Sequence, residues 1–63
     1  MDSTQRTIIL IKAQALKEAA EDWERRSQEW AAEGKPLLAQ TYNFMAMMAT
    51  GRSRALELST YFD

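Results

Sequence analysis

Large apolar residues recur every seven positions through the first half of the chain. This row consists of Ile9, Leu16, Trp23 and Trp30. A second row beside it, with the same spacing, consists of the small residues Ala13, Ala20 and Ser27. A seven-residue repeat keeps all its members on one stripe of an α-helix, as in coiled coils. We therefore predict one long helix over 3–32, with a stripe of alternating large and small residues that lets another helix approach closely.

The segment "EGKP", Glu33–Pro36, is the strongest stop signal in the sequence. Glycine is favoured just after the end of a helix, and proline at the first position of the next helix. These signals predict a helix at 3–32, a turn at 33–35 and a second helix at 36–61, in a single domain spanning 1–63. Asp2 is the predicted N-cap of the first helix, with Gln5 three residues later. A connection this short forces the helices to pack antiparallel as a helical hairpin.

The second helix has a narrow polar stripe and a wide apolar face. The polar stripe contains Gln40, Asn43, Thr50, Arg54 and Glu57. The apolar face contains Leu37, Leu38, Thr41, Phe44, Met45, Met48, Ala55, Leu58 and Phe62. An apolar face of this width is too wide for a single neighbouring helix to cover. Gly51 interrupts the pattern, and we expect the helix to continue through it, straight or gently bent.

Chain length makes self-association the expected source of stability. The sequence has 63 residues, with no cysteine and no histidine. Chains of this size bury a small fraction of their surface, and they normally gain stability from disulfides, metals or oligomerisation. Disulfides are excluded, and the commonest metal ligands are missing, so we expect no metal and no cofactor. The predicted fold is all-α: an antiparallel helical hairpin that forms a homodimer, a four-helix bundle.

The predicted oligomer interface combines the repeat of the first helix with the wide face of the second. Its residues are Ile8, Ile9, Ile11, Ala13, Leu16, Ala20, Trp23, Leu37, Phe44, Met48, Leu58 and Phe62. The segment "IILI" at 8–11 presents apolar side chains on every side of the helix, so part of it must contact another chain or stay exposed. Met45 and Met48 are predicted core residues, with Met45 near Trp23.

Five further residues are candidates for binding a partner. They are Leu10, Met47, Tyr61, Arg52 and Arg54. The antiparallel arrangement brings Arg6 and Lys12 towards the two arginines, and such a cationic group suits a phosphate or an acidic loop. The alternative function is therefore a small dimeric nucleic-acid-binding regulator. Against it, the net charge is −1, whereas nucleic-acid binding needs an excess of Lys and Arg.

Enzymatic activity has little support in the sequence. Ser27, Ser53 and Ser59 have no histidine to act as a base, and the carboxylates of Glu18, Asp22 and Glu29 lie on the solvent side of the predicted helix. The longest apolar run is too short to span a bilayer. We therefore expect a cytoplasmic, non-enzymatic protein that binds itself and a protein partner.

The opening segment "STQRTIILIKAQALK", the length of 63 residues and the hairpin pattern resemble a small early-region accessory protein of lambdoid phages. That family is encoded between the exonuclease and excisionase genes. The resemblance implies a regulator, made early in infection, that modulates host physiology or the balance between lysis and lysogeny by binding a protein in the host cytoplasm. In architecture the chain is also similar to the plasmid-encoded regulators of RNA pairing, which are dimers of helical hairpins. Neither resemblance assigns a role to a particular residue.

Overall fold

A computed structural model describes residues 2–62 as two helices packed against each other. Helix α1 spans Ser3–Ala32 and helix α2 spans Pro36–Ser59. The hairpin is elongated, with principal-axis extents of 48 × 14 × 10 Å and a radius of gyration of 14.5 Å. A compact chain of this length has a radius of gyration of about 11 Å. The chain therefore forms the all-helical hairpin predicted from the sequence, with its two helices side by side.

Both ends of α1 are held by the hydrogen bonds that the sequence suggests. At the start, the Asp2 side chain accepts a 2.7 Å hydrogen bond from the backbone N–H of Gln5. At the end, the N–H of Lys35 donates to the Trp30 carbonyl and the N–H of Gly34 donates to the Ala31 carbonyl. This pair of bonds defines a Schellman motif. Gly34 has a φ of +75°, which lies in the left-handed region that glycine adopts most easily.

Helix α2 begins at Pro36, where the missing N–H of proline costs nothing. It continues through Gly51 without a break, as expected. It ends at Ser59 rather than at Tyr61, because the Ser59 and Thr60 hydroxyls donate to the carbonyls of Leu56 and Glu57 and the chain tightens into a turn.

The stripe of α2 that contacts α1 consists mainly of small residues. We call it the inner seam: Ala39, Tyr42, Ala46, Ala49, Ser53, Leu56 and Thr60, all buried or half-buried. It packs against the predicted α1 repeat, in which Ala13 and Ala20 are buried and Leu16, Trp23 and Trp30 are half-buried. The large residues that the sequence analysis placed on the apolar face of α2, among them Phe44, Met48 and Leu58, are exposed in the single chain.

Close packing of the two helices is fixed by two hydrogen bonds that cross between them. The Ser27 hydroxyl of α1 donates to the Ala39 carbonyl of α2 at 2.6 Å. The Ser53 hydroxyl of α2 donates to the Ala13 carbonyl of α1 at 2.7 Å. A serine side chain is short, so it reaches a carbonyl on the next helix only where the two backbones are near each other. Each helix thus gives one serine to the other, Ser27 nearer the turn and Ser53 nearer the open end.

Alanine makes up the whole buried apolar core within residues 2–62. The buried apolar residues are Ala13, Ala20, Ala39, Ala46 and Ala49. No large side chain in this range is fully buried. The accessible surface is 4896 Å², whereas a folded monomer of 7.2 kDa exposes about 4,100 Å². The single hairpin therefore buries less of its surface than a typical folded monomer of its size.

Candidate interaction surface

A second heptad stripe runs along α2 on the side away from the inner seam. We call it the outer seam: Leu37, Thr41, Phe44, Met48, Gly51, Ala55, Leu58 and Phe62, with Phe62 in the turn after the helix. Successive members are spaced by four and three residues, the spacing of a coiled-coil interface. Every one of them is exposed in the single chain. α2 therefore carries two interaction stripes, and α1 covers only one of them.

The outer seam continues into an apolar groove between the two helices. The groove has a volume of about 220 Å³ and is lined by Leu16, Trp23, Met45, Met48, Ala49 and Arg52. Met45 and Trp23 line it together, in the neighbourhood predicted from the sequence. Met48 belongs to both the groove and the outer seam, so the two features form one surface, which we call the apolar face. Met48 itself was predicted to be core, but it is half exposed in the single chain.

Met47 lies on a different side of the hairpin from Met48. It lines a depression of about 390 Å³ with the polar residues Glu24, Asn43, Thr50 and Arg54 and with Gly51. The Asn43 side-chain amide lies 4.0 Å from the Met47 sulfur. This side is polar, as the sequence pattern predicted, so two adjacent methionines have different surroundings.

The open end of the hairpin, opposite the turn, carries the segment "IILI". Ile9 is half-buried, whereas Ile8, Leu10 and Ile11 are exposed. Leu10 and Tyr61, two of the predicted partner-binding residues, line one depression of about 400 Å³ together with Arg6 and Thr60. The structure therefore brings Leu10 and Tyr61 together, while Met47 lies in another depression.

The basic residues do not share one depression. Arg52 lines the apolar groove. Arg54 lines polar depressions on the other side, one of them with Lys17 and Glu57. Arg6 lines the depression at the open end. Of the cationic group predicted from the sequence, Arg6, Arg52 and Arg54 thus line different parts of the described surface.

Charged side chains near the turn pair with one another. Asp22 lies 3.2 Å from Arg25 and 3.0 Å from Arg26. The sequence spacing suggests Glu21 for Arg25, but Asp22 bridges both arginines. These groups are exposed, and ion pairs of this kind contribute little to stability. The same side of α1 changes from apolar at Ile8 and Ala15 to charged at Asp22.

The predicted interface residues of α1 and α2 have different environments. Ala13 and Ala20 are buried inside the hairpin, where α2 already covers them. Ile9, Leu16 and Trp23 are half-buried between the helices. The remaining predicted residues are exposed: Ile8, Ile11, Leu37, Phe44, Met48, Leu58 and Phe62. Sequence analysis missed Gly51 as a member of this surface, although its spacing of seven from Phe44 and Leu58 was a usable signal.

Residues 2–62 contain few groups arranged for chemistry. The hydroxyls of Ser27, Ser53 and Ser59 all donate to backbone carbonyls. Within the described range, no group of three or more Asp and Glu side chains is placed to hold a metal ion. Neither α1 nor α2 is long and apolar enough to cross a membrane.

Comparison with known proteins identified no relative of this chain. No protein-family model matches the chain, and no curated protein and no solved structure is significantly similar to it.

Proposed function

We propose that this protein is a non-enzymatic interaction module that forms a homodimer and binds a protein partner. The observation that carries the proposal is the contrast between the core and the surface. The core of the single chain is alanine, whereas Phe44, Met48 and Leu58 are exposed along one side of α2. Contiguous apolar surface on a soluble protein is typical of an interaction site.

Dimerisation into a four-helix bundle is part of this proposal. Two hairpins that pack through their apolar faces bring four helices together in one assembly. Small proteins commonly reach stability by oligomerisation. The dimer also leaves the open end, with Leu10 and Tyr61, available to a different protein.

The biological role that we propose is that of an early regulatory protein of a phage, acting in the host cytoplasm. The resemblance of the opening segment to accessory proteins of lambdoid phages supports this role. The exposed residues Ile8, Leu10 and Ile11 fall within that same segment. An apolar protein contact differs from phosphate binding in that it responds little to salt, whereas phosphate binding weakens steeply as salt rises.

Affinity capture from phage-infected cells tests the partner-binding role. Tagged wild-type protein is compared with Leu10→Asp, which places a charge in the depression shared with Tyr61, and with Thr50→Asp on the polar side. We expect one or more host or phage proteins to be retained at about 0.5 M salt, where exposed charges are screened. Leu10→Asp should lose them, and Thr50→Asp should keep them.

Size measurement of the same variants separates loss of a partner from loss of the dimer. Leu10→Asp should keep the mass of a dimer. Capture of the same proteins by wild type and Leu10→Asp would contradict the assigned binding site. Retention of nucleic acid alone, lost as salt rises, would favour the alternative of a nucleic-acid-binding regulator.

A further inference from the structure

We propose that two copies of this chain pair antiparallel along the outer seam of α2, in the register that places Met48 of one copy against the partner's Gly51. This inference rests on the self-association in the proposed function. It adds which helix forms the contact, the relative direction of the two copies and the residues that face each other.

Gly51 is the first observation that points to a second copy. Glycine disfavours the interior of a helix relative to alanine. A Cβ atom built at Gly51 would meet no atom within 4 Å. The single chain thus has no steric reason for glycine at this position. A neighbouring helix that approaches the middle of the outer seam would supply one.

The order of side-chain sizes along the outer seam is the second observation. In an antiparallel pair with Met48 against Gly51, the same register places Phe44 against Ala55 and Thr41 against Leu58, and two-fold symmetry repeats each contact. The ends of the seam then bring Leu37 against Phe62. Each of the three central layers matches a larger residue with a smaller one, which fills space evenly between two helices.

Registers shifted by one heptad do not match sizes in this way. In one of them Phe44 meets Met48 while Thr41 meets Gly51, so large residues collide in one layer and small residues leave a gap in the next. In the other, Phe44 meets Phe62 while Gly51 meets Ala55, with the same fault. Both shifts also leave one end of the seam uncovered. Cavities and overpacking both destabilise a packed interface.

The surface that the pairing would bury is close to that of a standard protein–protein interface. The five large side chains of the outer seam are between 51% and 79% exposed. Two of them, Phe44 and Phe62, are aromatic, and a fully buried aromatic side chain removes on the order of 150–250 Å² from water. With the smaller contributions of the two leucines and Met48, complete burial of the seam would remove at most about 600 Å² per chain. With the flanking residues this approaches the ~800 Å² per partner of a standard interface.

Disulfide cross-linking tests the register, since the natural chain contains no cysteine. Phe44→Cys and Ala55→Cys chains are oxidised separately and after mixing. We expect a covalent dimer mainly in the mixture. Copies of Phe44→Cys alone should not cross-link, because the two cysteines lie about 16 Å apart along the helices, beyond the ~7 Å Cα separation that a disulfide spans. Thr41→Cys mixed with Leu58→Cys repeats the test without removing Phe44.

Substitution of Gly51 tests the close contact independently. Gly51→Leu should weaken dimerisation at least about tenfold, because the added side chain has no room against the partner's Met48. The matched control is the neighbouring Thr50→Leu, also exposed and helical but on the polar side, and it should leave the dissociation constant within about threefold.

The outcomes distinguish the register from self-association itself. A dimer that cross-links in neither mixture, or that cross-links Phe44→Cys with Met48→Cys instead, would overturn the register and leave the proposed function intact. A dimer unaffected by Gly51→Leu would also overturn it. A wild-type chain that stays monomeric at every concentration would overturn both.

Discussion

At the scale of single residues, the serines of the helix interface act through their small size and through their hydroxyls. Ser53 is buried, and its hydroxyl bonds to the Ala13 carbonyl across the interface. A larger residue would separate the helices, and an alanine would keep the distance but lose the bond. The buried side-chain oxygens and nitrogens among residues 2–62 all have a hydrogen-bond partner. Satisfied polar groups of this kind cost no burial penalty.

Ser53→Ala should lower the free energy of unfolding by about 1 kcal/mol, the net value of a typical hydrogen bond. The control is Thr7→Ala, because the Thr7 hydroxyl bonds within α1 to the Ser3 carbonyl and is exposed. Thr7→Ala should change stability by less than about 0.5 kcal/mol. Chemical unfolding of both variants at one protein concentration measures the difference, and equal midpoints would show that the interhelical bond contributes nothing.

At the scale of elements, the turn between α1 and α2 sets the direction of the second helix. The Schellman bonds from Gly34 and Lys35 close α1, and Pro36 starts α2 at once. The Lys35 ammonium lies 5.1 Å from the centre of the Trp30 ring, a cation–π contact between the connecting loop and the C-terminal end of α1. A turn this short permits only antiparallel packing of the two helices.

Gly34→Ala should destabilise the hairpin by about 1–2 kcal/mol, because an L-residue is strained at the positive φ of this position. Space is not the cause, since a Cβ at Gly34 would meet nothing within 4 Å. Glu33→Ala, in the same turn but with a φ of −86°, should change stability by less than about 0.5 kcal/mol. Thermal unfolding at matched concentration compares the two, and equal effects would mean that backbone strain at residue 34 is negligible.

The local signals of α1 and the turn were readable from the sequence, whereas the packing of α2 was not. Asp2, Gly34 and Pro36 act through bonds to residues nearby in the chain, so their effect depends little on the rest of the fold. The inward face of α2 depends on which stripe fits α1. The sequence analysis followed the large residues of α2 and did not identify the small-residue stripe that packs on α1, although Ala39, Ala46 and Ser53 repeat every seven residues as Ala13, Ala20 and Ser27 do. Matching the two small-residue rows would have predicted which stripe of α2 packs on α1.

At the scale of the whole molecule, the small residues at the contact between α1 and α2 determine which apolar side chains remain on the surface. Because alanine and serine rows bring α1 and α2 together, Phe44 and Leu58 point away from the contact and remain exposed. A core of alanines contributes little hydrophobic free energy, since the gain scales with the apolar area removed from water. Most of the available stabilisation therefore lies in surface that the single chain does not bury. We expect stability to rise with protein concentration, as it does when association is linked to folding.

Phe44→Glu and Met47→Glu form a matched pair that tests this expectation. The two side chains are 62% and 66% exposed in the single chain, so a monomer should tolerate both changes equally. Phe44 lies on the outer seam, where a glutamate would lose water on dimerisation, and burial of an unpaired charge costs several kcal/mol. Met47 lies on the polar side.

Thermal unfolding of each variant over a range of concentrations provides the measurement. The wild type and Met47→Glu should unfold at temperatures that rise with concentration. Phe44→Glu should unfold at a lower temperature that is independent of concentration, because it can no longer associate through the outer seam. Equal behaviour of the two variants would mean that the exposed apolar face makes no contact in solution, and that the alanine core alone is enough to hold the hairpin together.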